Sequence, residues 1–217
     1  MNFATMTMQG GDCKQMNTEK DFEFSQVWDV FNALRLQGKL CDVVLNVDDR
    51  KFEAHRAILA ANSPYFRAMF TNGMQETEQR EIKLNGIDAE MMTLIIEYIY
   101  TRSVRVTMDN VMSLLSLADC FSVNGLTDTC VEYMKSAVGF ENCFTILRFS
   151  KIYYRTDLQE PAMKFINNNF TEIVSNRHKD FLECSIEDLL DVLSDDNLNV
   201  SEEEEVRLRF CSSYFHL

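Results

Sequence analysis

The pattern of apolar and polar residues changes period along the first part of the chain, and each change predicts an element. Residues 42–47 form a short run rich in β-branched side chains, and residues 51–54 alternate as a half-buried return strand does. The period becomes helical over residues 58–70, where Ser63 and Pro64 suit the N-cap and the first position of a helix. The sequence therefore predicts a hairpin that leads into two short helices.

Further elements are predicted on both sides of this hairpin. Apolar residues recur at helical spacing from about residue 25, and Gly38 ends that segment. Residues 80–84 alternate as a strand does, and Asp88 is suited to cap the helix that follows. Because this helix is apolar on nearly every side, we expect it to be a buried central element.

Three signals complete this part of the chain. Val104 and Val106 indicate one more short strand, and Thr107 is expected to cap the helix after it. The pair Asn124 and Gly125 is expected to break that helix before a last one begins. A few short strands sheltered among helices are typical of an α+β domain, which we predict for residues 23–137.

The rest of the chain shows only helical patterns. We predict an all-α region over residues 138–206, in which Ser185 begins a segment that resembles a capping box. Residues 1–22 are polar, rich in methionine and aperiodic, so we predict a disordered tail there.

Composition and charge narrow the class of protein. Apolar residues make up 46% of the chain and charged residues 25%, as in ordinary globular proteins. The formal net charge of −13 argues against binding to nucleic acid, and no apolar run is long enough to span a membrane. The seven cysteines have irregular spacing, which favours free thiols in a reducing compartment. We expect a protein of the cytoplasm, with the nucleus as the open alternative.

No pattern of residues indicates catalytic or metal chemistry. The sequence has no phosphate-binding glycine loop, no G-x-S-x-G and no C-x-x-C. None of the three histidines, His55, His178 and His216, lies at metal-ligand spacing from a pair of cysteines. His55 is interpreted as a structural histidine rather than a catalytic base. We therefore expect a non-catalytic protein without metal or cofactor.

Two sets of phrases resemble known domains. LCDVVL at residues 40–45 and FEAHRAILAANSPYFRAMF at residues 52–70 resemble the core of a BTB (POZ) domain. ENCFTILRFS, FLECSIEDLLDVLSDDNLNV and SEEEEV resemble the BACK domain that follows it in kelch-like proteins. The resemblance covers residues 25–206 and implies an α+β BTB/POZ domain followed by an all-α, partial BACK domain.

The resemblance implies a dimer interface. In kelch-like proteins the first helix packs across a two-fold axis, and a charged pair lies buried near that axis. The corresponding residues here are Val27, Trp28, Val30, Phe31 and Leu34 for the helix, and Asp42 and Arg56 for the pair. The alternatives are that the helix packs within its own core and that Arg56 is an exposed surface residue.

The resemblance also implies a surface for the cullin-3 scaffold. BTB adaptors carry a hydrophobic-x-Glu motif after the matched core, and Met74 and Glu76 fit it. Tyr65, Phe121 and Asn124 lie in segments that resemble other parts of that surface. The first BACK helices correspond to a supplementary cullin-binding pair, here around Cys143, Ile146, Leu147, Tyr153 and Tyr154. The alternative for these helices is packing in the helical core.

The implied function is that of a dimeric adaptor of a cullin-3 RING ubiquitin ligase. Its expected partners are a second copy or another BTB protein, and cullin-3, without nucleic acid, membrane or small-molecule substrate. Residues 207–217 depart from the family pattern and no kelch repeat is recognised, so a truncated or dominant-negative form is expected. A BTB-mediated transcriptional co-regulator and a dimerisation scaffold stay open as alternatives.

Overall fold

The computed structural model describes residues 21–73, 78–176 and 178–199, with side chains from residue 26 onward. The predicted tail therefore lies outside the described residues, except for its last two, which already belong to the first helix. Residues 207–217 lie outside them as well. The elements, in chain order, are α1 (Asp21–Leu36), β1 (Val43–Val47), β2 (Arg50–Ala54), α2 (Arg56–Asn62), α3 (Pro64–Thr71), β3 (Glu81–Leu84), α4 (Ala89–Thr101), α5 (Val111–Cys120), α6 (Asn124–Ala137), α7 (Cys143–Ile152), α8 (Thr156–Asn176), α9 (Lys179–Leu182) and α10 (Ile186–Leu193).

The three described strands form one small sheet with β1 in the middle. β1 pairs antiparallel with β2, as the hairpin pattern predicts, and parallel with β3. Val43, Leu45 and Val47 are completely buried, because alternate residues of β1 point into the core. The turn consists of Asp48 and Asp49 alone, and Asp48 adopts the left-handed conformation with a φ of 47°.

Two of the predicted helix caps are confirmed. The Ser63 side chain accepts a hydrogen bond from the backbone N–H of Phe66, and Pro64 occupies the first turn of α3. The Asp88 carboxylate accepts bonds from the N–H groups of Glu90 and Met91 at the start of α4. α4 then runs through the core, where Met92, Ile95, Ile96 and Ile99 are at most 1% exposed.

The strand predicted at Val104 and Val106 is not formed. Both residues lie in the irregular segment between α4 and α5 and pack, half-buried, against the core. Thr107 does not cap α5, since Asn110 occupies the N-cap position and its side chain accepts a bond from the Thr107 N–H. A three-residue alternation cannot distinguish a strand from a loop that buries two side chains.

Asn124 and Gly125 begin α6 instead of ending α5. The break comes earlier, at Ser122, which adopts a φ of 54°. Glycine is required inside α6 because a Cβ atom at Gly125 would lie 2.5 Å from the hydroxyl oxygen of Tyr98. A close approach to α4, and not a helix end, therefore accounts for this glycine.

The described part of the chain after residue 138 is helical, as predicted. α7 and α8 pack against each other, and Ile146, Leu147, Ile166 and Phe170 are completely buried among them. Ser185 caps α10 by accepting a bond from the Asp188 N–H, which confirms the capping signal. Lys151 ties α10 to α7 through Asp188 and Asp191, at 3.0 and 2.6 Å. A single buried cluster continues from the sheet into these helices.

α7 is capped by a residue from another element. Asn142 occupies its N-cap position without a side-chain capping bond. The buried carboxylate of Asp180 in α9 instead accepts bonds from the Phe144 N–H at 2.6 Å and from the N–H and hydroxyl of Thr145. Because these N–H groups have no partner within the helix, a carboxylate that satisfies them fixes α9 against α7.

We expect Asp180→Asn to lower the free energy of unfolding by about 2 kcal/mol, the upper range for a cap with charged hydrogen bonds. The amide keeps the size of the side chain but turns one acceptor into a donor that faces backbone N–H groups. Urea unfolding followed by circular dichroism measures the difference. Glu183→Gln, an exposed carboxyl at the end of α9, is the control. A loss below about 0.5 kcal/mol would contradict the capping role.

Candidate protein-binding surfaces

The inner face of α1 is held by aromatic rings and two arginines. Trp28 packs against the core, and the Arg102 guanidinium lies 5.1 Å from the centre of its ring. Arg102 also donates a hydrogen bond to the Asn62 side-chain oxygen, which connects α1 with α2 and α4. The Arg35 guanidinium lies 5.0 Å from the centre of the Tyr100 ring. Cation–π contacts thus supplement the apolar packing of this helix.

His55 joins this packing from the loop before α2. Its Nε2 atom lies 3.1 Å from the carbonyl oxygen of Lys39, which can only accept, so Nε2 carries the proton. Nδ1 pairs with the Tyr100 hydroxyl at 2.9 Å, and the ring meets Phe31 edge-on at 5.7 Å. Burial raises the pKa of Tyr100 to about 12, so its hydroxyl stays protonated. These contacts agree with a structural histidine.

The outer face of α1 presents apolar side chains to solvent. Val27 and Val30 are 51% and 58% exposed and, with Gln26 and Phe31, line an open groove of about 450 Å³. Of the five helix residues predicted for a dimer interface, these two valines point outward. Trp28, Phe31 and Leu34 are half-buried, and the first two pack against the core.

Asp42 and Arg56 contact each other through backbone atoms. An Asp42 carboxylate oxygen accepts a 2.7 Å bond from the Arg56 N–H at the start of α2. The Arg56 side chain donates to the carbonyl oxygens of Asp42 and Gln79 and lies over the Phe70 ring at 4.9 Å. Asp42 is exposed in the single chain, so the burial expected for this pair is not present there. The role of the pair at an interface stays a prediction.

Tyr65 contacts Phe121, and Asn124 follows Phe121 by three residues along the chain. The Tyr65 ring is 37% exposed and meets the Phe121 ring at 5.1 Å. Asn124 is exposed at the start of α6, whereas Phe121 is completely buried. Phe121 therefore supports this surface from behind and does not itself face a partner. Met74 and Glu76 lie outside the described residues, so their role stays a prediction.

Cys143, Ile146 and Leu147 are not on a surface. All three are completely buried in the helical core, which is the alternative that the sequence left open for them. Burial, with the nearby Asp180 carboxylate as the second cause, raises the pKa of Cys143 to about 12. As a correction to the sequence prediction, these residues shape the helix pair but do not present side chains to a partner.

The exposed large apolar residues of this helix pair are at the end of α7 and in the turn that leads to α8. Ile152, Tyr153 and Tyr154 are 63%, 45% and 91% exposed, and Tyr154 has a φ of 54°. The sequence signal for them is three consecutive apolar or aromatic residues, which is more than a helix with one apolar face requires. This signal does not show that the chain turns there. Ile152 was not predicted.

An ion pair joins this turn to the surface around Tyr65. Arg155, the last residue before α8, has its Nη1 atom 3.3 Å from a carboxylate oxygen of Asp119. Asp119 lies near the end of α5, two residues before Phe121. The turn is thus connected through α5 and Phe121 to Tyr65, and we call Tyr65, Asn124 and the exposed tyrosines of the turn together the composite surface.

Metal-ligating side chains do not cluster in the described residues. No group of three or more His, Cys, Asp or Glu side chains in this part of the chain could hold a metal ion. Of its cysteines, Cys130, Cys143 and Cys184 are buried, whereas Cys41 is half-buried and Cys120 is exposed. Burial raises the pKa of Cys130 to about 12, as it does for Cys143, which makes both thiols unreactive. None of the helices in the same residues is long and apolar enough to cross a membrane.

Two domain families match the chain. Residues 31–137 match the BTB/POZ domain, and residues 143–213 match the BACK domain, described as "BTB And C-terminal Kelch". The second match continues past residue 206, where the sequence analysis placed the end of the resemblance. A solved structure, the BTB domain of zebrafish PATZ1, is 27% identical, with a TM-score of 0.49, and covers 53% of this chain and 93% of its own.

Several known proteins are similar to this chain over most of its length. Kelch repeat and BTB domain-containing protein 8 of Xenopus tropicalis is 39% identical over 185 residues, which are 85% of this chain and 30% of the relative. Human Kelch-like protein 2 is 34% identical over 202 residues, which are 90% of this chain and 34% of the relative. Rat Kelch-like protein 3 is 34% identical over 203 residues, which are 92% of this chain and 34% of the relative. The chain thus spans about a third of the length of these relatives.

The fold and these matches define the class of protein. A small three-stranded sheet enclosed by helices, followed by a helical region continuous with its core, is a BTB domain joined to a BACK domain. The chain belongs to the BTB–BACK family and is related to the kelch-like proteins.

We expect Arg102→Ala to loosen α1 from the core. Trp28 is the only tryptophan of the chain, so its fluorescence reports on this helix alone. Loss of the guanidinium is expected to shift the emission to longer wavelength and to lower the free energy of unfolding by about 1 kcal/mol. Arg105→Ala, an exposed arginine in the following loop, is the control. Unchanged emission in Arg102→Ala would show that the cation–π contact does not hold the helix.

Proposed function

We propose that the protein is a dimeric, non-catalytic adaptor that brings cullin-3 of a RING ubiquitin ligase to a substrate. One observation carries the proposal: a single BTB–BACK core presents both an outward apolar face on α1 and, separately, the composite surface. The first is suited to a second copy, and the second to another protein. The family resemblance implies cullin-3 as the partner, and the similarity to kelch-like proteins supports it.

The dimer is supported by the division of α1 into two faces. Its inner face is fixed by Arg35 and Arg102, so the helix does not depend on a partner for its position. Its outer face exposes Val27 and Val30 beside an open groove. Two copies related by a two-fold axis would place these valines against each other and remove apolar surface from water.

Binding to cullin-3 is supported by the chemistry of the composite surface. Tyr65, Tyr153 and Tyr154 offer aromatic area with polar hydroxyl groups, and Asn124 adds an exposed amide. Tyrosines surrounded by polar groups are frequent anchors in protein interfaces. Met74 and Glu76, which form the sequence motif, follow α3 along the chain.

The chain matches about a third of the length of its relatives, and this part alone could regulate the longer proteins by competing with them. The BTB and BACK regions are the parts that we assign to dimerisation and to the cullin. A chain composed of these residues alone would pair with longer relatives and occupy cullin without reading a substrate. In that form it would act as a dominant-negative competitor.

We expect Val30→Asp to prevent dimerisation. Across a two-fold axis the new carboxylate would be buried against its own copy without a compensating charge. Burying the two carboxylates costs more free energy than a small apolar interface contributes. Light scattering after gel filtration should give twice the chain mass of 25.2 kDa for the unmodified protein and the single mass for the variant. Thr171→Asp adds the same charge to an exposed position of α8 and should leave the dimer intact. A dimeric Val30→Asp would reject this face as the interface.

We expect the chain to bind the N-terminal domain of cullin-3 with a dissociation constant below about 1 µM and one cullin per protomer. Isothermal titration calorimetry measures both quantities. Met74→Ala/Glu76→Ala tests the sequence motif, and Tyr65→Ala tests the composite surface. Each variant should weaken binding at least tenfold, as loss of an interface anchor does.

Lys51→Ala, on the exposed face of the sheet, is the matched control for these titrations. Its affinity should equal that of the unmodified chain. Failure of a folded dimer to bind cullin-3 would reject the ligase adaptor and direct attention to transcriptional co-regulation or scaffolding.

A further inference from the structure

We infer that Arg155 is a positioning residue, which holds the α7–α8 turn on the end of α5 and so sets where Tyr154 stands on the composite surface. The inference deepens the proposed function and rests on it. Arg155 does not itself have to touch the partner.

The Arg155 guanidinium bridges two carboxylates. Its Nε and Nη2 atoms donate to the two oxygens of Asp157, in the first turn of α8, at 3.1 and 3.0 Å. Its Nη1 atom lies 3.4 and 3.3 Å from the two oxygens of Asp119. Asp157 thus fixes the plane of the guanidinium, and the remaining edge of that plane faces α5.

Asp119 is itself held in place. One of its oxygens accepts a 3.1 Å hydrogen bond from the Thr127 hydroxyl of α6. Arg155 therefore attaches the start of α8 to two helices of the BTB region at once. The Arg155 side chain is 21% exposed and that of Asp119 is 38% exposed, so water screens the pair in part.

The turn that precedes Arg155 needs such an attachment. Tyr154 adopts a left-handed φ of 54° although it is 91% exposed. An L-residue in this conformation is strained by about 1 kcal/mol, so a turn with this shape relaxes unless its flanks are fixed. On one side the Tyr153 ring stacks on Phe149 at 4.4 Å, and on the other the Arg155 N–H bonds to the Ser150 carbonyl at 2.7 Å.

Contacts with the BTB region fix the turn a second time. Tyr153 borders a cleft of about 310 Å³ whose other walls include Asp88 and Met91 near the start of α4 and Leu117 of α5. Arg155 reaches α5 at Asp119. Loss of the ion pair would leave the turn attached on the Tyr153 side only, and Tyr154 would be free to leave its strained conformation.

The first test is the affinity of Arg155→Ala for the N-terminal domain of cullin-3, measured by calorimetry. We expect binding about threefold to fivefold weaker, the range that a partly exposed ion pair can supply. Arg148→Ala removes an exposed arginine of α7 and should bind as the unmodified chain does. Arg155→Lys keeps the charge near Asp119 and should recover part of the affinity. An unchanged affinity in Arg155→Ala would overturn the inference.

A double-mutant cycle separates positioning from a general structural effect. If Arg155 acts through Tyr154, then Arg155→Ala should cost little further affinity in a Tyr154→Ala background. Equal losses in both backgrounds would overturn the positioning role. Asp119→Asn removes the same ion pair from the other side, and it replaces Arg155→Ala in the cycle if that variant does not fold.

Hydrogen–deuterium exchange distinguishes failure of this inference from failure of the proposed function. Faster exchange at the amides of residues 154 and 155 in Arg155→Ala, with α4 unchanged, would show that Arg155 holds the turn, even if the unmodified chain did not bind cullin-3. An unchanged exchange rate in the turn would overturn this role of Arg155, whatever the affinity of the chain.

Discussion

The burial of β1 is the constraint on which the rest of the structure depends. Val43, Leu45 and Val47 are completely buried, yet a three-stranded sheet is too small to bury them by itself. Helices have to cover the sheet, and α4 does so with a side chain in the core at nearly every turn. α4 keeps one exposed stripe at Glu90, Thr93 and Glu97 and buries its other sides, where further helices pack, and the core extends without interruption into α7 and α8. Both candidate surfaces are therefore attached to one packed body.

Sequence reasoning predicted what depends on neighbours along the chain and missed what depends on neighbours in space. The caps at Ser63, Asp88 and Ser185 follow from residues two or three positions away, and all three are present. Asp180, which caps α7, lies 36 residues after Phe144, and no local sequence pattern predicts this contact. Gly125 was interpreted as a breaker because the Tyr98 hydroxyl that requires it lies on another helix.

The same limit explains which parts of the binding surfaces were predicted. Periodicity identifies the apolar positions of a helix, but it does not show which of them face the core and which face a partner. Val27 and Val30 are exposed, whereas Phe121 and Ile146, predicted by the same resemblance, are buried. The Tyr153–Tyr154 turn was visible only as excess apolar residues, since its left-handed residue is not glycine and carries no sequence signal.

The use of arginine connects the fold with its surface charge. Arg35, Arg102 and Arg155 are each held by rings or carboxylates of the same chain, and Arg56 donates to backbone carbonyls beside β1. Arg35, Arg56 and Arg155 are half-buried in these contacts, whereas Arg102 is exposed. The 34 acidic residues against 21 basic ones set the net charge of the chain. In the function proposed above, an acidic chain would attract a partner with a basic face at long range, and the aromatic groups of the composite surface would anchor it.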